Sequence, residues 1–384
     1  MIKKIKVSQP FLSQKETNAV RDVLKSGWIT NGPKTLELEK IIKKKINTKN
    51  VIAVNSCTSG IIASLIAQGA KPGDEIITPA NTFISSINTF YNLGLKIKLC
   101  DINIETFNID EELLESRITS KTKFFIPVHN GGSPEHFDKI LKIAKKNKII
   151  VIDDAAVAFG AKIKKKYIGS FKDSTTVFSL HANKNITGGE GGFICTSNDA
   201  LAIKIRKIIN NGMNATSWSR KSGKSNILSA ELPGYKFNYN DIQASIAIQQ
   251  IKKFDKMIIH RRKILKRYLK NFNSIIKNNY IATQSISNEN YSGHYNFQIL
   301  LKIPNIRNKL IEYLHSKKIY TTIHYTPCYE HEFYRNKFMT NHLANTKQIF
   351  KNVLSLPMHV HLSLKDVDIV SHYVLEYLKQ YKKT

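Results

Sequence analysis

Apolar runs of strand length alternate with longer amphipathic stretches along this chain, and that alternation predicts an α/β fold built on a large, mostly parallel sheet. Two further observations refine it. From about residue 241 the pattern becomes helical for some thirty residues, and beyond residue 295 shorter strand and helix signals resume. A length of 384 residues suits two domains at roughly 100–200 residues each.

In chain order, VIAVNS (51–56) reads as a buried strand, with IIASLIAQGA (61–70) as the helix after it. KPGDEIITPA supplies a turn and a second strand. LKIKLCDI (95–102), KFFIPVH (123–129) and KIIVIDDA (148–155) are further strands, and TTVFSL (175–180) and GGFICT (191–196) flank a glycine-rich loop. The stretch from Asp241 to Phe272 reads as one long amphipathic helix. YNFQILLKI (295–303) opens a smaller C-terminal α+β unit, which continues through KIYTTIHYTP (318–327) to a last helix near 364–382. The division expected is 1–250 and 251–384, with the boundary inside the long helix, so that the two parts are well coupled.

Composition excludes several classes. The 42% hydrophobic content is ample for a core, and no apolar run approaches the ~18 residues of a membrane span. The N-terminus is basic but has no apolar segment or small-residue cleavage site, which predicts a soluble, cytoplasmic protein. Cys57, Cys100, Cys195 and Cys328 are widely spaced. That spacing suits neither a disulfide framework nor a zinc site, and no metal is expected. The net charge of +30 invites a nucleic-acid reading, but only nine of the 59 basic residues are Arg. Arg supplies the bidentate contacts to phosphate and guanine. Fifty scattered lysines describe solvated helix faces better, and their field would still attract an anionic small substrate.

Three segments could carry chemistry. Asn55-Ser56-Cys57-Thr58-Ser59-Gly60 lies between a strand and a helix, where small residues, the Thr58 and Ser59 hydroxyls and a helix N-terminus suit a phosphate; an ordinary helix cap is the plainer reading. Asp153-Asp154 ends the run KIIVI, and in open α/β sheets ligands sit beyond such strand ends. One of the two acids is expected to be only a cap or a surface residue. Lys184 stands among small and polar residues, followed by Gly188, Gly189, Gly191 and Gly192. A confined Lys can lose its proton and form a Schiff base with an aldehyde, whereas most of fifty lysines are solvated. Together a phosphate cradle, a strand-end acid and a confined Lys are the three anchors of pyridoxal phosphate.

At this point the sequence resembles the sugar aminotransferases of the DegT/DnrJ/EryC1/StrS family, fold type I pyridoxal-phosphate enzymes. SGWITNGPKTLELEK (26–40), AVNSCTSG (53–60), PGDEIITPANTF (72–83), DDAAVAFGA (153–161), FSLHANKNITGGEGGF (178–193), PGYKFNYNDIQASIAIQQ (233–250) and IHYTPCYEHEFYR (323–335) match in order. The resemblance implies that Lys184 is the Schiff-base lysine and Asp154 the partner of the pyridinium nitrogen. Thr58, Ser59 and Ser179 would bind the phosphate, and Phe83 would stack on the ring. Asn238 would reach the phosphate of the neighbouring subunit in a homodimer with shared active sites. Trp28, His324 and Tyr325 fall in segments that line the sugar-nucleotide cleft in relatives.

The activity so implied moves an amino group, with L-glutamate as donor and 2-oxoglutarate as its product, to a nucleotide-linked keto sugar for amino-sugar or polysaccharide synthesis. The Gly-Glu-Gly-Gly ending looks more like enzymes acting at C4 of a 4-keto-6-deoxy sugar than at C3. A related sugar dehydratase, which carries His in place of the Lys, and a regulatory protein that binds the cofactor without turnover are the alternatives. Two departures touch the site: Val157 stands where the family commonly has His or Gln, and Gly132-Ser133-Pro134 where it has Gly-Gln-Pro.

Overall fold

The computed structural model describes residues 4–223 and 229–381. Helices α1 (Gln14–Lys25) and α2 (Pro33–Ile46) precede β1 (Asn50–Val54), α3 (Cys57–Ala67), β2 (Glu75–Pro79), α4 (Ile84–Asn92), β3 (Lys96–Cys100), the short α5 (Leu114–Arg117), β4 (Thr122–Phe125), α6 (Phe137–Lys146) and β5 (Ile150–Asp154). A hairpin, β6 (Lys162–Ile163) and β7 (Lys166–Tyr167), leads to β8 (Ser174–Ser179), β9 (Gly192–Thr196), α7 (Asp199–Ile208) and α8 (Ser217–Lys221). The C-terminal third runs α9 (Asp241–Lys277), β10 (Ile281–Thr283), β11 (Phe297–Leu301), α10 (Arg307–Ser316), α11 (Ala344–Asn352), β12 (Val353–Leu356) and α12 (Leu364–Lys379).

Seven strands form the main sheet in the order β1-β9-β8-β5-β4-β2-β3. Every neighbouring pair from β3 to β8 is parallel, and only β9 runs against its neighbours. Being covered on both faces, β2, β5 and β8 are buried at nearly every position rather than at alternate ones. Successive residues of β5 serve opposite sides: Val151 belongs to one core with Phe137, Phe178 and Phe193, while Ile152 belongs to the other with Ile61, Leu65 and Phe90. A second sheet, β10-β11-β12, is antiparallel throughout.

Helix α9 is continuous across both cores. Ala244, Ala247, Ile248, Ile251, Phe254 and Ile258 pack under the main sheet, whereas Ile264, Tyr268, Phe272 and Ile275 pack on the small one. Between them Arg261 is buried and donates to the carbonyls of His294, Tyr295 and Met358, each at 3.1 Å. The helix therefore fixes the chain that enters β11. Later in the sequence Cys328, Tyr329, Tyr334 and Leu343 return to the core of the main sheet.

Local order departs from the sequence reading at the start of one helix. Helix α3 starts at Cys57 rather than Ile61 because Ser56 caps it, its Oγ accepting from the Ser59 N–H at 3.0 Å. The segment 318–327 forms isolated bridges, Ile319 to Ile5 and Thr322 to Ser355, and its later residues line a cavity. Among the described residues no helix is long and apolar enough to cross a membrane, and no cluster of three metal-ligating side chains occurs.

Candidate active site

The site lies at the C-terminal ends of the parallel strands, where helices begin and backbone N–H groups are free. Strand β1 ends in buried Val54, the chain turns through Asn55, and Ser56 starts α3. Close packing holds that helix in place. A Cβ on Gly60 would lie 2.6 Å from Val177 of β8, and one on Gly192 would lie 2.6 Å from the Phe178 carbonyl and 2.8 Å from the Cys57 nitrogen. Only hydrogen at these positions lets α3 approach β8 and β9 so closely. The result is a cavity of about 410 Å³ with Ser56, Cys57, Thr58 and Ser179 along one wall, within the size range of cofactor sites, roughly 300–1,000 Å³. A helix start and these hydroxyls suit an anion.

The paired acids part company because successive strand residues point to opposite faces. Asp154 lines the cavity; Asp153 does not. Burial pushes the Asp154 carboxyl above the usual range, offset by the Ala156 N–H at 3.1 Å, the Ser86 hydroxyl at 2.9 Å and the charge of Lys184. Asp153 faces the core beneath and meets His129, whose Nε2 is 2.8 Å from its Oδ1.

Lys184 is held by a turn, its N–H bonded to the His181 carbonyl at 3.0 Å. The following loop bends through Gly189 (φ 89°) and Gly191 (φ 133°), and a Cβ on Gly191 would lie 2.3 Å from the Tyr239 ring. Burial lowers the Lys184 pKa, which favours the unprotonated, nucleophilic amine. Its Nζ sits 4.9 Å from the centre of the Tyr295 ring. His324, Tyr325 and Phe83 complete that side, with Phe83 and Tyr325 ring centres 6.0 Å apart. Burial, with the nearby Lys184 charge, holds His324 at about 4, so its ring is neutral near pH 7. Its Nδ1 is 2.8 Å from the Ser355 hydroxyl and 3.0 Å from Asn296 Nδ2. His181, Asn183 and Glu190 form the polar rim.

Of the residues singled out from sequence, Thr58, Phe83, Asp154, Ser179, Lys184, His324 and Tyr325 share this cavity. Three do not line it. The Ser59 hydroxyl is 2.8 Å from that of Ser56. The Trp28 indole donates to the Asn31 carbonyl at 3.1 Å and stands edge-on to Trp218 at 5.1 Å. Asn238 donates to Asn210 Oδ1 at 2.9 Å, with its own Oδ1 buried and unpaired. Sequence reasoning passed over Ser56, Ser86, Tyr295 and His129. A Ser closing the strand run VIAVNS, just ahead of the helix, is a cap signal for the first; nothing local marks the other three.

A group carrying an aldehyde, a phosphate tail and a basic ring nitrogen fits this cavity at three points: Lys184, the α3 N-terminus and Asp154. Fold and site together therefore define a fold type I pyridoxal-phosphate enzyme. The chain belongs to the DegT/DnrJ/EryC1/StrS aminotransferase family, whose pattern matches residues 10–375, and pyridoxal phosphate is its cofactor. It is 38% identical over 370 residues to the uncharacterized protein MJ1066 of Methanocaldococcus jannaschii, covering 94% of this chain and 95% of that one. It is 35% identical over 379 residues to the spore coat polysaccharide biosynthesis protein SpsC of Bacillus subtilis, covering 97% and 96%. Among solved structures it superimposes with a TM-score of 0.91, at 27% identity, on Spr1654 of Streptococcus pneumoniae, a candidate sugar aminotransferase in its PMP form, covering 98% and 99%.

Proposed function

We propose that this aminotransferase moves an amino group from L-glutamate to a nucleotide-linked keto sugar, at C4 of a 4-keto-6-deoxy sugar, in amino-sugar or polysaccharide synthesis. The observation that carries the reading is Lys184: an amine made less basic by burial, facing the cavity and with no ion-pair partner among the described residues. The relative in polysaccharide synthesis and the loop ending Gly188-Gly189-Glu190-Gly191-Gly192 support the sugar and its C4 position.

The α3 N-terminus, with the hydroxyls of Ser56, Thr58 and Ser179, holds the phosphate. Asp154 keeps the ring nitrogen protonated through its negative charge. When bound, pyridoxal phosphate carries the amino group between donor and acceptor and acts as the electron sink for the charge left at the donor Cα. Lys184 Nζ takes the proton from the donor Cα and returns it on the other side of the exchange. Phe83, Tyr325 and Tyr295 exclude water around that amine. The neutral His324 ring offers a substrate oxygen a hydrogen bond without adding charge beside Lys184. His181 and Asn183 at the rim face the sugar. The exposed rings of Phe83 and Tyr235 suit cover by a second subunit, from which Asn238 would reach the phosphate.

The test is the visible spectrum of the loaded protein before and after L-glutamate, followed by a panel of nucleotide-linked keto sugars with products identified by mass. Conversion of the cofactor band by glutamate, and amination of a sugar in the panel, are expected. A spectrum indifferent to every amino donor would sink the reading.

A further inference from the structure

Asp153 is completely buried and has no role in the chemistry above, yet a lone buried carboxylate is costly. Its neighbour explains how it is tolerated. His129 Nδ1 lies 2.9 Å from the Ser133 carbonyl, an oxygen that can only accept, so Nδ1 carries a proton. Nε2 lies 2.8 Å from Asp153 Oδ1. An unprotonated Nε2 facing a bare carboxylate oxygen would set lone pair against lone pair, so a proton lies between the two, and the raised His129 pKa favours it on the ring as an imidazolium. The approach is bent away from hydrogen-bond alignment, which leaves charge as the main attraction.

Among the described residues no other cation is paired with Asp153, and the charge of Lys184 acts on Asp154 instead. On β5 the nearest ionisable group is Asp154; from α3 and β9 the thiols of Cys57 and Cys195 feel Asp153, and burial together with that charge pushes both upward. Helix α6 sets the Phe137 ring edge-on to the His129 ring at 5.1 Å. Burial would depress the His129 pKa, but Asp153, the Ser133 carbonyl and Asp154 outweigh it and the result is raised. The same residue is tied to the cavity acid through the backbone. The His129 N–H donates to the Asp154 carbonyl at 3.2 Å, and the Asp154 N–H to the Pro127 carbonyl at 3.0 Å.

We propose that His129 is a positioning residue for the reaction: by neutralising Asp153 it keeps the adjoining Asp154 ionised, and so able to hold a protonated ring nitrogen. This rests on the reading of Asp154 given above. Two neighbouring buried carboxylates cannot both stay charged cheaply. Without the imidazolium a proton is drawn to the pair, and whenever it sits on Asp154 the cofactor loses its partner.

The experiment is equilibrium binding of pyridoxal 5′-phosphate to the apo-protein as a function of pH, for wild type, His129→Gln, Asp153→Asn, the double variant and Asp154→Asn. His129→Gln is expected to weaken binding about tenfold and to move its acid limb up by about one pH unit. Adding Asp153→Asn removes the unpaired charge and should restore both to within about twofold. A merely structural role for His129 predicts a double variant no better than the single, and that result overturns the proposal. So does a His129→Gln profile that coincides with wild type while Asp154→Asn binds weakly. Asp154→Asn binding like wild type would instead remove the reading of Asp154 itself. Should His129→Gln not fold, nitrogen-15 shifts of His129 in the wild-type apo-protein decide: an imidazolium through neutral pH is expected, and a neutral ring overturns the assignment.

Discussion

Ser86 lies in the first turn of α4, is almost wholly buried, and places its hydroxyl 2.9 Å from Asp154 Oδ2. Replacing it with Ala removes one oxygen and leaves the carboxylate with the Ala156 N–H as its remaining hydrogen-bond donor among the described residues. A hydrogen bond to a charged group contributes roughly 1.5–3 kcal/mol, and 1.36 kcal/mol corresponds to one pKa unit. The Asp154 pKa, already raised by burial, should therefore rise by about 1–2 units more. The sign follows from the form that the bond favours. Ser86 stabilises the carboxylate, so its loss favours the protonated acid and affinity is lost as pH falls. In a titration of pyridoxal 5′-phosphate against apo-protein, the acid limb of Ser86→Ala should sit about 1–2 pH units above that of wild type, with the alkaline plateau unchanged. Coincident profiles, or a limb displaced downward, would refute the assignment of Asp154 as the acid that holds the ring.

Lys184→Ala should lose borohydride-trappable attachment of the cofactor and all turnover while retaining its fold; turnover by a cleanly purified variant would remove Lys184 from its role. Gly192→Ala sets a methyl group against the Phe178 carbonyl and the Cys57 nitrogen, atoms of backbone that cannot swing aside. It should cost about 1–3 kcal/mol in denaturant unfolding and weaken cofactor binding, because the displaced atoms begin α3. Glu111 provides a pH test of stability. Burial alone would raise its carboxyl, but His136 Nδ1 at 2.6 Å and Lys139 Nζ at 2.8 Å bring it down to about 2 from 4.5. A depressed acid stabilises the fold above its unfolded pKa, so this contribution is full above about 4.5 and fades as pH falls towards 2. Glu111→Gln should be less stable than wild type at neutral pH, with the gap narrowing below pH 4.5; a gap that holds constant on acidification would contradict the ion pairs.

The strands and the long helix could be read from sequence because period and composition are local properties. Runs such as KIIVIDDA and TTVFSL have unbroken apolar centres, as strands buried on both faces do, and Asp241–Lys277 keeps its helical spacing across two cores. The cluster of Lys184, Asp154 and Thr58 was legible for a related reason: each lies at a strand end or a few residues beyond one, where a parallel sheet brings distant segments to one edge. The local pattern left Asp153 and Asp154 equivalent and only the family resemblance chose Asp154, since which of them enters the cavity depends on which face of β5 meets α4 and which meets α6.

Ser86, Tyr295 and His129 carry no signal at all until the chain is folded. Ser86 matters because α4 brings it over β5. Tyr295 matters because Arg261, thirty-four residues earlier, holds its carbonyl from the middle of α9. The sequence by itself determined the elements and the types of group available for chemistry. Only the tertiary structure decided which of those groups meet and which charges are left to balance one another in a place without water, because burial, partner and distance are properties of packing across the sheet.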